Sequence, residues 1–208
     1  MIDGMNEHGL TVTHNTAFPT DKPTCFAPNS LMLQEMLETC QNTEEAVHFI
    51  MNAKHASGAL LMLGDAGGDI RTVEMSCHHA AVREPLDNQI INTNHYHIVE
   101  MQKDEIPRNA VFSEQASKEW VGKRLHESSE ERLKRAQDLL TTKNIDEATI
   151  ISILRDHGPD QHPSNLTICQ HGEYNSTLRS MILYPNRQII KVLYGNPCLN
   201  TYTEFAFS

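Results

Sequence analysis

The chain has 208 residues and a net charge of −10, long enough to bury a sizeable core but without the basic face that nucleic acid or an anionic membrane requires. No run approaches the ~20 apolar residues of a membrane-spanning helix, and Met1-Ile-Asp-Gly-Met-Asn-Glu7 has neither the basic nor the apolar part of a secretory signal, so a cytoplasmic location is expected. The five cysteines (Cys25, Cys40, Cys77, Cys169, Cys198) are scattered, odd in number and without a C-x-x-C pair, which predicts reduced thiols.

The first element is a turn running into a strand. Asn6 and Gly9 supply turn chemistry, and Leu10 and Val12 then alternate with Thr11 and Thr13 at the two-residue period of a half-buried strand that ends at Asn15. A Pro-punctuated loop, 18–28, leads to a helix over 29–40 with Leu33, Met36, Leu37 and Cys40 on one stripe. Asn42, with Glu45 three residues on, predicts a capped second helix with Ala46, Val47, Ile50 and Met51 inward. Strands are expected at Ala59–Leu63, Ile70–Met75, His79–Val82 and Gln89–Asn92, separated by the turns Asp65-Ala-Gly-Gly-Asp69 and Pro85-Leu-Asp-Asn88. Connections this short make an antiparallel meander.

The middle of the chain reads as helical, with Ser113, Ser128 (with Glu131) and Asn144 (with Glu147) as N-caps. Strands return at Leu166–Cys169, Thr177–Tyr184, Ile189–Tyr194 and Tyr202–Phe207, with Pro185-Asn-Arg187 as a hairpin turn. Helices between two sets of antiparallel strands predict one layered α+β domain over 1–208.

Three polar residues stand at element ends. Asn15 closes the first strand, Asn94 lies in Ile91-Asn-Thr-Asn-His-Tyr96, and Arg132 follows Ser128 by one helical turn. An Asn amide aimed at a developing oxyanion stabilises acyl transfer, and an Arg offers a fixed fork to a carboxylate. Singly, each has a bland reading as a turn residue or a solvated charge.

Their order is more specific. Gly4-Met-Asn-Glu-His-Gly-Leu10 with Asn15, Glu44-Glu-Ala46, Leu63-Gly-Asp-Ala-Gly-Gly-Asp69, Val73-Glu74, Thr93-Asn-His95, Ser128 with Arg132, Ile168-Cys-Gln-His171 and Gly195-Asn-Pro-Cys198 occur in sequence. In these pieces the chain resembles the acyl-coenzyme A:isopenicillin N (6-aminopenicillanic acid) acyltransferase family, and more distantly the choloylglycine and penicillin V hydrolases, all N-terminal-nucleophile (Ntn) hydrolases. The resemblance implies a four-layer αββα sandwich and a small amide or acyl substrate, with acyl-coenzyme A as a donor. It also implies that Asn94 binds the oxyanion, that Asn15 lines the site and that Arg132 helps hold the site together. It implies no cofactor and no metal, and leaves homo-oligomerisation open.

One part of the family pattern is missing. The nucleophilic cysteine, with its free α-amino group, belongs before Gly4, so the chain is expected to be N-terminally truncated and inactive alone. Cys25 follows the motif strand in the wrong order, Cys40 lies on an apolar helix stripe and Cys77 in a turn; Cys169 and Cys198 match non-nucleophilic family positions. A catalytically dead relative serving as a binding or scaffold protein is the alternative. A third reading, metal-dependent hydrolysis, would use His78-His79 or His95-x-His97, which share a strand face, but no H-E-x-x-H or C-x-x-C anchors such a site.

Overall fold

A computed structural model describes residues 3–24, 27–140 and 145–207. Two units are resolved: Met1–Ile106 with Leu183–Ile190 and Ala206–Ser208, and Pro107–Ile182 with Lys191–Phe205. Antiparallel sheets and helices build both.

In the first unit five strands form one sheet in chain order: β1 (Gly4–Met5), β2 (Thr11–Thr16), β3 (Ala59–Gly64), β4 (Ile70–Met75) and β5 (Ala80–Arg83). All neighbours are antiparallel. The period-two pattern of β2 sends Leu10 and Val12 to one face, where they meet Leu61, Leu63, Val73 and Met75. Two helices, α1 (Asn29–Thr39) and α2 (Thr43–Asn52), cover that face with Leu33, Met36, Ala46 and Ile50. These side chains are at most 1% exposed, and burying each Leu or Ile contributes about 1.5–3 kcal/mol.

The expected cap of α2 forms. Asn42 Oδ1 accepts from the Glu45 amide at 3.0 Å, and Glu45 reaches back to the Gln41 amide at 2.8 Å. The Asp65–Asp69 turn docks on the same helix end, because Asp65 Oδ2 accepts from the Thr43 amide at 3.0 Å. Asn6 plays a similar part at the other helix. Its Nδ2 donates to the carbonyls of Leu37 (2.9 Å) and Cys40 (2.8 Å) at the end of α1, while its Oδ1 accepts from the amides of His8 and Leu10. Gly9 completes the turn at φ +81°, where a Cβ would lie 2.5 Å from the Pro185 carbonyl oxygen.

The second unit holds α4 (Glu127–Leu139) and α5 (Glu147–Leu154). A three-stranded sheet, β6 (Arg179–Tyr184), β7 (Ile189–Tyr194) and β8 (Thr203–Ala206), contributes strand ends to both units. As expected, a 3-10 turn at Pro185–Arg187 joins β6 to β7, with Gln188 left-handed at φ 52°. A short helix, α3 (Val99–Gln102), had no sequence signal, being one turn long.

Four expectations are corrected. No strand forms at Gln89–Asn92: Leu86 and Gln89 exchange backbone bonds around left-handed Asp87 and Asn88, and side chains then hold residues 91–92. Ser113 opens no helix; Phe112 and Gly122 instead close a loop through backbone bonds. Val111 and Val121 are exposed, so a helix there would have had no apolar stripe to bury. Leu166–Cys169 is not a strand, since the Thr167 hydroxyl bonds the carbonyls of Ser164 and Cys169 and competes with a ladder. Ser128 lies inside α4 rather than capping it, its hydroxyl donating to the Asn165 carbonyl at 2.7 Å. Asp146 caps α5 by accepting from the Thr149 amide at 2.8 Å, whereas the expected cap Asn144 lies outside the described residues.

Candidate active site

Strand register decides where Asn15 points. It pairs with Leu60, Leu60 pairs with Glu74, and Glu74 pairs with Ala81. Directly paired residues share a face, so this row lies on the side of the sheet opposite α1 and α2. That side is polar for its depth: Thr11, Thr72 and Glu74 on it are all buried. Ala17, Leu60, Tyr96 and Met101 form its apolar part.

The segment carrying Asn94 crosses this face. Asn94 Nδ2 donates to the Thr16 carbonyl at 2.9 Å, which brings the two sequence-predicted asparagines to one end of β2. Asn15 and Asn94 are both half-buried. An amide carries two N–H donors and one acceptor, and this bond fixes the plane of the Asn94 group beside the strand end.

Glu74 holds the segment down. It is 0% exposed; its Oε2 accepts from the amides of His97 (2.9 Å) and Ile98 (3.0 Å), and its Oε1 from Arg83 Nε at 3.1 Å. A buried carboxylate is tolerated only when so paired. Arg83 also donates to the Ile91 carbonyl at 3.1 Å and to Asn92 Oδ1, and Asn92 exchanges with Thr72. Tyr96 is anchored at both ends, its amide on Glu105 (2.8 Å) and its hydroxyl on the Met75 carbonyl (2.5 Å). Burial, reinforced by Glu105, pushes the Tyr96 phenol far above its ordinary pKa, so it stays a neutral donor.

The supporting roles of Glu74, Arg83 and Asn92 escaped sequence reading. Val73-Glu74 belonged to the family pattern, and a carboxylate in an otherwise apolar strand was the available signal.

Arg132 belongs to the second unit. Its Nε donates to Ser128 Oγ, one helical turn back, at 3.2 Å. Ser128 also receives Gln170 Nε2 at 2.9 Å, and Gln170 bonds the Asn165 carbonyl. The i, i+4 pair thus joins α4 to loop 165–171. Desolvation lowers the Arg132 pKa to about 10, which leaves it cationic near neutrality. Gly172 permits close packing in this loop: a Cβ there would sit 2.5 Å from Asn165.

Among the described residues, Cys40, Cys77 and Cys169 are buried and Cys198 is half-buried, all as free thiols; Cys25 lies outside them. Burial, only partly offset by the Thr39 hydroxyl, raises the Cys40 pKa, the opposite of what activates a nucleophile. The segment holding His95 and His97 is not a strand, yet their side chains come together. His95 and His97 stack, with ring centroids 5.0 Å apart and planes at 17°. His79 Nδ1 instead meets Asp104 at 2.8 Å.

Comparison with curated protein sequences returned no match. Among solved structures, the fold is similar to penicillin V acylase from Agrobacterium tumefaciens, with a TM-score of 0.55 and 18% identity over 93% of this chain and 62% of that one. It is also similar to a mutant conjugated bile acid hydrolase from Clostridium perfringens, with a TM-score of 0.54 and 14% identity over 100% of this chain and 77% of that one. The chain thus spans 62% of the length of the penicillin V acylase chain, and its fold is similar to those of Ntn hydrolases. The sequence pattern of the acyl-coenzyme A:6-aminopenicillanic acid acyl-transferase family matches residues 1–198, and the chain belongs to that family.

Proposed function

We propose that the chain forms most of a cysteine Ntn hydrolase that cleaves a small amide or transfers its acyl group. Membership of the acyltransferase family supports the reaction class. The observation that carries the site is the bond from Asn94 to the Thr16 carbonyl, which presents one asparagine beside another at the end of β2.

In this reading a cysteine thiolate attacks the amide carbonyl carbon. Negative charge moves to the carbonyl oxygen, where the Asn94 amide, with Asn15 beside it, donates to it. Collapse expels the amine, which takes up a proton, and leaves a thioester. Water then gives hydrolysis, or an acceptor amine gives acyl transfer. Arg132 acts by positioning, through Ser128 and loop 165–171. A segment preceding Gly4 supplies the cysteine, and the chain alone is inactive. With that segment, both units belong to a single four-layer αββα domain. Substrates resembling penicillin V or a conjugated bile acid are the first to test, with acyl-coenzyme A as a donor for transfer.

The test begins with the reading frame upstream of Met1 and the intact mass of the natural protein. A processed N-terminal cysteine ahead of a strand is the expected result. A natural start at Met1, with no partner chain and no turnover, overturns the enzyme reading in favour of a binding or scaffold protein.

A further inference from the structure

We infer that the second unit carries a closed metal site, made by His157, Cys169, His171 and Cys198, that takes a zinc ion. One ligand atom from each lies within 4.8 Å of all the others. His157 Nε2 and His171 Nε2 are 2.9 Å apart, and Cys198 Sγ is 3.6 Å from His171 Nε2. A tetrahedron with Zn–N of about 2.0–2.1 Å and Zn–S of about 2.3 Å has edges of about 3.3 Å between nitrogens, 3.6 Å between nitrogen and sulfur and 3.8 Å between sulfurs. The nitrogen–sulfur edge of 3.6 Å matches, the nitrogen–nitrogen edge of 2.9 Å is slightly short, and the other four lie within 4.8 Å, a spacing that small side-chain shifts bring onto an ion. A histidine–histidine hydrogen bond alone would account for the two rings, but not for two thiols converging on the same point.

The four ligands come from three separate stretches: the chain just after α5, loop 165–172, and the loop between β7 and β8. Each stretch is fixed by bonds that do not involve the ligand atoms. Arg155 donates to the carbonyls of Pro197 (2.8 Å) and Asn200 (3.1 Å), which bracket Cys198. Asn196 Nδ2 donates to the Gln170 carbonyl at 3.0 Å, between Cys169 and His171. The Cys169 amide donates to the carbonyl of Asp156, the neighbour of His157, at 3.0 Å. Such outer contacts orient ligands around a metal. Two thiolates and two neutral imidazoles balance a divalent charge, and a tetrahedral S₂N₂ set favours zinc over the oxygen-seeking magnesium and calcium. With four protein ligands the site is structural, and loading it releases both thiol protons to solvent. The inference does not depend on the amide chemistry proposed above.

The experiment is metal analysis of the protein purified under reducing conditions without chelator, followed by cobalt(II) substitution. The expected result is about one zinc per chain, and a cobalt form with tetrahedral d–d bands and a thiolate-to-cobalt charge-transfer band. The double variant C169S/C198S should lose that band, and His157→Ala should weaken zinc binding at least about tenfold. If the variants do not fold, the wild-type cobalt spectrum decides alone. Folded, reduced protein that takes up neither metal, or a cobalt spectrum without the thiolate band, overturns the inference.

Discussion

The side chain of Asn94 donates to the backbone carbonyl of Thr16 across 2.9 Å, although 78 residues separate them. The bond fastens the segment that follows the five-stranded sheet to the strand end where Asn15 stands. It also sets the orientation of an amide that the proposed mechanism uses as an oxyanion donor. In the intact, processed protein Asn94→Ala should lower kcat by about a hundredfold or more with a smaller change in KM. Steady-state kinetics on the best amide substrate checks this; equal activity of wild type and variant would remove Asn94 from the mechanism.

Glu74 should prove structurally expensive to lose. Glu74→Ala strips partners from Arg83 and from the amides of His97 and Ile98. A loss of about 2–4 kcal/mol is expected, because a half-buried cation and two half-buried N–H groups lose the fully buried carboxylate that pairs them. Urea denaturation measures it, and a loss below about 1 kcal/mol would mean that water replaces the carboxylate.

Asn6 makes a second, independent staple. Asn6→Ala removes donors to the last carbonyls of α1 and the acceptor for two turn amides. The expected destabilisation is about 1–3 kcal/mol, seen as a lower denaturation midpoint with an unchanged slope.

Acid should weaken the fold through specific carboxylates. Burial alone would raise the Asp65 pKa, but the amides of Thr43, Asp69 and Gly67 outweigh it and hold the group below its ordinary value. The hydrogen bond and charge of Arg135 do the same for Asp156 against partial burial. A depressed folded-state pKa contributes stability that is present above the ordinary carboxylate pKa and lost as pH falls through the folded value. Stability from these groups should therefore be level above about pH 5 and decline below about pH 4. Melting temperatures measured across that range test the sign, and Asp65→Asn should flatten part of the decline.

Much of the fold was legible because local signals agreed with packing. In β2 the alternation of Leu10, Thr11, Val12 and Thr13 matches two buried faces, and in α2 the cap at Asn42 precedes an inward stripe of Ala46 and Ile50. Where signals stood alone they misled. Ser113 had cap chemistry but no apolar stripe behind it, and the apolar pair Ile90-Ile91 precedes Asn92, which Arg83 and Thr72 hold away from any ladder.

The site was legible only in part. Periodicity shows that Asn15 and Val12 lie on opposite faces, but the partner crossing the face of Asn15 comes from distant sequence. The proposed metal ligands, spread over 157–198, form no short motif, and only the folding of three loops brings them together.

Intact mass spectrometry of the processed natural protein, quenched during turnover of an amide substrate, shows whether catalysis runs through an N-terminal cysteine. An acyl adduct on an N-terminal cysteine is the expected result, appearing with release of free amine and lost when that cysteine is alkylated. Amine release with no adduct and no sensitivity to alkylation, or a folded and processed protein that releases no amine from penicillin V-like or conjugated bile acid-like amides, would contradict that assignment.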